Sequence, residues 1–319
     1  MHPTLQLLER HSSELGESPV HWFDIPEASP MVKSGDKQFN LHWSQNNNAL
    51  LDADTWPTNT RNVLFYPKAK DRLDWWLAML SNSLQADQTL WVVGENNGGI
   101  KSLPKRVAGH FNCIKIESAR HCVLFELTLT DKGIQSPKWS TFSVGDMTCY
   151  TLPGVFSAAR LDRGTDVLLS ALPELSGHIL EFGSGCGVLT AHLAIQKQVK
   201  SVNAIEIDLC AVRSTKKTLA ENGLADKCSV TWSAGTEQLE PKRYDALVTN
   251  PPFHKGIQTE YGPTETFFSE AHNWLKTGGH LVWVANDFLT YHHLLKGHFT
   301  NITQLVHKNG FSVYSAQRL

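Results

Sequence analysis

From residue 178 onward the chain alternates short apolar runs with amphipathic stretches in a regular βαβα rhythm, and few folds accept that rhythm. A parallel strand must be reached by a crossover, usually a helix, so the pattern predicts an α/β domain with a mostly parallel sheet covered by helices on both faces. Seven strands are expected, at His178–Phe182, Ser201–Ile205, Ser229–Trp232, Tyr244–Thr249, His280–Ala285, Ile302–His307 and Phe311–Gln317. Helices are expected at Val188–Lys197, Ala211–Asn222, Thr264–Leu275 and Phe288–Gly297, with a leading helix at about Asp162–Leu172. Only Lys308-Asn309-Gly310 separates the last two strands, and an Asn-Gly pair suits a tight antiparallel hairpin.

The first half carries a faint echo of the second. Asp71-Arg72 leads an apolar run to Leu84, then Leu90-Trp91-Val92-Val93 and the loop Gly94 to Gly99. Asp162-Arg163, Ile179 to Phe182 and Gly183 to Gly187 repeat that order at offsets of 91 and 89 residues. This reads as a degenerate internal duplication. The expected domains are 1–140 and 150–319, with Ser136–Pro153, rich in Pro, Gly, Ser and Thr, as the linker.

A length of 319 residues allows each half its own core. The charges divide as 14 basic and 16 acidic residues up to 150, and 15 of each beyond it. Neither half is the basic slab that phosphate-driven binding of long nucleic acid requires, so an RNA partner must be recognised locally and by shape. No run approaches the ~20 apolar residues of a membrane span, and Met1-His2-Pro3-Thr4 does not open a secretory leader, so a cytoplasmic location and no membrane partner are expected. The six cysteines form no C-x-x-C pair, so no metal centre is expected.

Three segments carry chemistry. Glu181-Phe182-Gly183-Ser184-Gly185-Cys186-Gly187 joins a strand to a helix, where glycines let the backbone approach a ligand and the helix start offers N–H groups. Its G-x-G-x-G spacing differs from the dinucleotide G-x-G-x-x-G, because position 188 is valine. Glu206 follows the second strand, 23 residues beyond Gly183, where an acid can accept from both hydroxyls of a ribose. Asp208 competes for that role. The buried strand Tyr244–Thr249 ends in Asn250-Pro251-Pro252-Phe253, two prolines making a stiff turn. The Asn250 side-chain oxygen and the Pro251 carbonyl can hold an amino group by two N–H bonds, with Phe253 against a flat ring. That suits methylation of a planar nitrogen, whose delocalised lone pair must be localised by positioning and electrostatics.

These motifs resemble those of class I S-adenosylmethionine-dependent methyltransferases, and over nearly the whole chain the sequence resembles the bacterial ribosomal RNA small subunit methyltransferase C family of guanine-N2 enzymes. The match rests on Leu152-Pro153-Gly154-Val155-Phe156-Ser157, Leu161-Asp162, the glycine loop, Asn250 through Gly256, Val284-Ala285-Asn286-Asp287-Phe288-Leu289 and Phe311-Ser312-Val313-Tyr314. The resemblance implies two Rossmann-like methyltransferase domains in tandem, a degenerate N-terminal copy and an active C-terminal copy. It also implies methyl transfer from S-adenosylmethionine to the N2 amino group of one guanine of 16S rRNA in the assembled small subunit. Cofactor contacts are expected from Glu181, Gly183, Ser184, Gly185, Gly187 and Glu206. Ser233 and Ala234 stand where many relatives carry an Asp or Asn for the adenine. Asn250, Pro251, Pro252 and Phe253 are the catalytic candidates, and Phe156, Arg160, Arg163, His254 and Lys255 the substrate rim.

In the first half Lys68, Lys70, Lys101, Lys105 and Arg106 are candidates for rRNA phosphates. The chain is expected to act as a monomer. Gly94 to Lys101 misses a P-loop by one position. Rival readings are methylation of adenine N6 or of a protein glutamine amide, and a catalytically silent assembly factor that kept the fold.

Overall fold

Two sheets with closely related strand orders organise the chain, one in each of two units, Met1–Lys138 and Trp139–Leu319. The computed structural model describes residues 1–130, 134–239, 243–251, 262–287 and 291–319.

In the first unit, helices α1 (Pro3–Glu9) and α2 (Ser12–Leu15) precede strands β1 (Val20–Phe23), β2 (Lys37–Phe39) and β3 (Arg61–Phe65). Helix α3 (Lys70–Ser81), β4 (Thr89–Glu95), α4 (Leu103–Val107), β5 (Phe111–Ala119) and β6 (Cys122–Leu129) follow. The sheet runs β2-β1-β3-β4-β6-β5, parallel as far as β4 and then antiparallel. Strands covered on both faces read as unbroken apolar runs, which explains Val63 to Phe65 and Leu90 to Gly94. Phe23, Phe39, Trp56, Trp75 and Trp76 pack with neighbouring ring centroids 5.0 to 5.7 Å apart, mostly edge to face.

The second unit opens with a hairpin, β7 (Ser140–Val144) and β8 (Met147–Thr151), where the sequence predicted a linker. It then runs α5 (Arg163–Ala171), β9 (Gly177–Phe182), α6 (Val188–Ile195), β10 (Val199–Glu206), α7 (Leu209–Glu221) and β11 (Cys228–Trp232). Next come β12 (Tyr244–Thr249), α8 (Gly262–Trp274), β13 (Leu275–Asn286), β14 (Phe299–Lys308) and β15 (Phe311–Arg318). The 7-stranded sheet has the order β11-β10-β9-β12-β13-β15-β14, and only β15 runs against the other strands, antiparallel to both β13 and β14. Successive residues feed opposite cores: Ile179, Val248 and Val282 pack with α5 and α6, while Leu180, Leu247 and Trp283 pack with α8.

The hairpin is held on α7 by polar side chains spaced four apart. Ser214 Oγ accepts from the Leu152 N–H at 3.0 Å, Thr218 Oγ1 from the Tyr150 N–H at 2.9 Å, and Asn222 both accepts from Thr148 N–H and donates to Thr148 O. One helix face thereby does for β8 what a neighbouring strand would do.

The duplication is real, but its predicted register was not. By sheet position β1 corresponds to β9, β2 to β10, β3 to β12, β4 to β13, β6 to β15 and β5 to β14, leaving β11 without a counterpart. Gly94 therefore ends the equivalent of β13, and Asp71-Arg72 begins the equivalent of α8. The counterpart of the glycine loop is Asp24-Ile25-Pro26-Glu27, and that of Asn250-Pro251 is Tyr66-Pro67. A glycine turn can close any strand, so local similarity misaligned the copies. Two smaller corrections follow. In place of a helix over Phe288–Gly297 there is one 3₁₀ turn at His292–Leu295, with 288–290 outside the described residues, and Leu275 starts β13 instead of ending α8.

Candidate active site

The site gathers where β9, β10 and β12 end. After β9 the Gly183 and Ser184 N–H groups donate to Ile205 O at 2.9 and 3.2 Å, folding the loop over the end of β10. Gly187 caps α6 with φ +85°, and a Cβ there would lie 3.0 Å from the Thr215 Cα, so both conformation and space require glycine. Thr215 pins the loop from α7, donating to Gly185 O and meeting Ser184 Oγ, both at 3.0 Å.

Two carboxylates are buried beside this loop. Glu206, the last residue of β10, accepts from the Gly185 N–H at 2.8 Å and the Asp208 N–H at 3.0 Å. Burial, with help from the Asp208 charge, pushes its pKa up to about 7. Asp208 caps α7 through the Ala211 N–H at 2.9 Å. Glu181, 1% exposed, accepts from Thr190 Oγ1 at 2.5 Å through Oε2. Its Oε1 has no hydrogen-bond partner among the described residues, and burial pushes its pKa up to about 8.

At the end of β12, Thr249 Oγ1 donates to Phe182 O at 2.7 Å and ties this strand end to β9. The next side chain, Asn250, donates from Nδ2 to Asp162 Oδ2 at 3.1 Å and to Thr165 Oγ1 at 2.8 Å. Asp162 caps α5 through the Thr165 N–H at 2.9 Å. A Cβ on Gly183 would stand 4.0 Å from the Asn250 carbonyl, so the two turns lie against each other.

A cleft opens between these turns. Of the predicted site residues it is lined by Glu181, Gly183, Ser184, Gly185, Asn250, Phe156 and Arg160. Arg163 lines an adjoining hollow with Phe156 and Arg160. Glu206, Gly187, Ser233 and Ala234 are not among the lining residues. Ser233 is 1% exposed and donates its N–H to Glu206 O at 3.0 Å, placing it behind Glu206. Pro251 is buried, and Pro252, Phe253, His254 and Lys255 lie outside the described residues. Asp162, Thr165 and Phe142 also line the cleft, and the sequence reading assigned them no site role. Asp162 lies 88 residues from Asn250; the sequence shows it only as the start of the leading helix and as part of the Leu161-Asp162 match.

In the first unit Lys68, Lys70, Lys101 and Lys105 are exposed, following β3 and β4. Arg106 is held by Asp74, from Nη2 at 2.5 Å and Nε at 3.2 Å.

The residues present fit S-adenosylmethionine. The cleft holds a buried carboxylate with one unpartnered oxygen, which a cationic group would satisfy, next to a loop of glycines with positive φ that admits close backbone approach. Among the described residues no group of three or more His, Cys, Asp or Glu could hold a metal ion, and no helix is long and apolar enough to cross a membrane.

Residues 146–315 match the family model described as Methyltransferase small domain, and residues 25–142 match Methyltransferase small domain N-terminal. Fold and site thus define a tandem methyltransferase of class I architecture. Among curated relatives, ribosomal RNA small subunit methyltransferase C of Hahella chejuensis is 39% identical over 80% of this chain and 77% of its own. The protein of the same name from Chromohalobacter salexigens is 36% identical over 98% and 97%. A solved structure, T. thermophilus 16S rRNA N2 G1207 methyltransferase in complex with AdoMet and guanosine, superposes with a TM-score of 0.82 at 25% identity, covering 100% of this chain and 92% of that one. The chain belongs to the ribosomal RNA small subunit methyltransferase C family.

Proposed function

We propose that the second unit transfers the methyl group of S-adenosylmethionine to the exocyclic N2 amino group of a guanine in 16S rRNA, within the assembled small subunit. The observation that carries this is the Asn250 carboxamide, whose N–H groups face Asp162 and Thr165 beside the glycine loop. Its Oδ1 would then accept from an amine.

When bound, the cofactor supplies a methyl group on a positively charged sulfur. Glu181 would offer its unpartnered oxygen to that molecule's positive charge, while the loop Gly183 to Gly187, bare of bulky side chains, and the Glu206 carboxylate would hold the rest of it. Asn250 Oδ1 and the Pro251 carbonyl accept the two N–H bonds of the guanine amine and aim its lone pair. Phe253 and Pro252 take their roles from the sequence motif, an aromatic ring for the flat base and a proline of fixed φ before it. A base inside a duplex must be flipped out to arrive there. Phe156, 63% exposed, with Arg160, Arg163, His254 and Lys255, would meet the flanking nucleotides.

Residues 1–140 form the degenerate copy and serve structure and rRNA contact, with Lys68, Lys70, Lys101, Lys105 and Arg106 toward phosphates, while 150–319 is catalytic. A cytoplasmic monomer completes the proposal, since every side chain assigned to the chemistry comes from one unit of one chain. Guanine is preferred over adenine or a glutamine amide because the family's solved relative holds guanosine.

Mass mapping of 16S rRNA from a strain lacking the protein tests this. One N2-methylguanosine should vanish and return when purified protein and S-adenosylmethionine are added to its small subunits. Loss of an N6-methyladenosine instead, or no cofactor binding by calorimetry, overturns the reading.

A further inference from the structure

Asn250 can present either its amide hydrogens or its oxygen to a ligand, and the two ends of a carboxamide differ little in shape. What decides between them lies on α5, which supplies two groups to the same amide nitrogen. Asp162 Oδ2 lies 3.1 Å from Asn250 Nδ2 and Thr165 Oγ1 lies 2.8 Å from it. Asp162 Oδ2 also receives the Thr165 hydroxyl at 3.4 Å and the Thr165 N–H at 2.9 Å.

The hydrogens can be assigned in one way. A carboxylate only accepts, so the Thr165 hydroxyl hydrogen points to Asp162 and its lone pairs face Asn250. The Asn250 amino group supplies one hydrogen to each oxygen. A flipped amide could take the Thr165 hydroxyl hydrogen only by withdrawing it from Asp162, and would set Oδ1 3.1 Å from the Asp162 carboxylate oxygen with no hydrogen between them. Resting on the Asn250 role proposed above, we propose that Asp162 and Thr165 are positioning residues that lock this carboxamide oxygen-outward, making the site selective for an acceptor that brings N–H bonds. A substrate presenting a carbonyl or an unprotonated ring nitrogen at that point meets a lone pair.

The test compares Thr165→Val, Thr165→Ser, Asn250→Ala and the Thr165→Val/Asn250→Ala double variant on small subunits from the deletion strain. Thr165→Val keeps the shape and the N–H that Asp162 caps, but removes the acceptor. It should lower kcat about 10- to 100-fold, since misplacement near 1 Å costs about that much, with the cofactor Kd within about twofold of wild type. Thr165→Ser should restore most of the rate. The double variant should be no slower than Asn250→Ala, because the hydroxyl acts only through that amide.

Unchanged kcat in Thr165→Val beside an inactive Asn250→Ala overturns the locking inference and leaves the Asn250 role standing. Multiplied losses in the double variant overturn it too. Near wild-type turnover in Asn250→Ala overturns both. If Thr165→Val does not fold, the wild-type protein still answers: the ¹⁵NH₂ signals of Asn250, assigned by their loss in Asn250→Ala, should be inequivalent and slow to exchange. Averaged, fast-exchanging signals reject the lock.

Discussion

Glu181 and Glu206 set the chemistry of the pocket at the residue scale, because each is held neutral by its surroundings as the pH falls below its raised pKa. The folded chain keeps a proton on Glu181 up to about pH 8, whereas an ordinary glutamate loses it near 4.5. Between those values the folded state binds more protons than the unfolded one, so stability falls as pH rises through the window, and Glu206 adds to the slope up to about pH 7. In cofactor-free protein, Glu181→Gln should flatten the fall in Tm from pH 5 to pH 8, gaining on the order of 2 kcal/mol over wild type at pH 8. The same substitution should weaken S-adenosylmethionine binding most at high pH, where the carboxylate would be ionised. Calorimetric titrations at pH 6 and pH 8 check this, and a wild-type affinity that does not rise with pH would remove Glu181 from the cation's surroundings. Glu206→Ala leaves the Gly185 and Asp208 N–H groups without acceptors, so a loss of about 2 kcal/mol in urea unfolding should accompany weaker cofactor affinity.

At the scale of elements, the hairpin of β7 and β8 brings Phe142 to the cleft, and α7 holds that hairpin by side chains alone. Asn222→Ala removes both bonds to Thr148 and should cost about 1–2 kcal/mol. Hydrogen exchange should show Thr148 and Tyr150 amides opening faster, while amides of β9 and β12 keep their protection. This hairpin also marks where sequence reading stops. Strands β9, β10, β12 and β13 are legible because burial on both faces forces apolar runs, and the turn at Asn309-Gly310 because its chemistry is local. The hairpin was read as a linker because its exposed, Thr- and Ser-rich strands alternate weakly and their partner is a helix 60 to 80 residues away. The Glu181 and Asn250 positions were visible for a related reason, since both lie at strand ends flanked by glycine or proline. Asp162 and Thr165 act across 88 and 85 residues, and nothing near them in the sequence points to Asn250.

For the whole molecule, the two units have related strand orders, and the proposal places the cofactor in the second alone. The first lacks glycine after β1, so calorimetry should give one S-adenosylmethionine per chain, and isolated residues 139–319, if they fold, should bind with the same stoichiometry. A second binding event in the intact chain, surviving Gly187→Val, would refute the loss of the N-terminal site.

Asp24 shows why a glycine loop is hard to build there. At the end of β1 its carboxylate takes the Leu41 N–H at 2.8 Å and the Trp76 indole at 2.5 Å, filling the corner where the other copy has its glycine loop. Grafting glycines there would first orphan two buried donors, and removing the indole would open a hole costing about 3–5 kcal/mol. That corner is a keystone of the first unit: each step toward a glycine loop passes through a weaker protein.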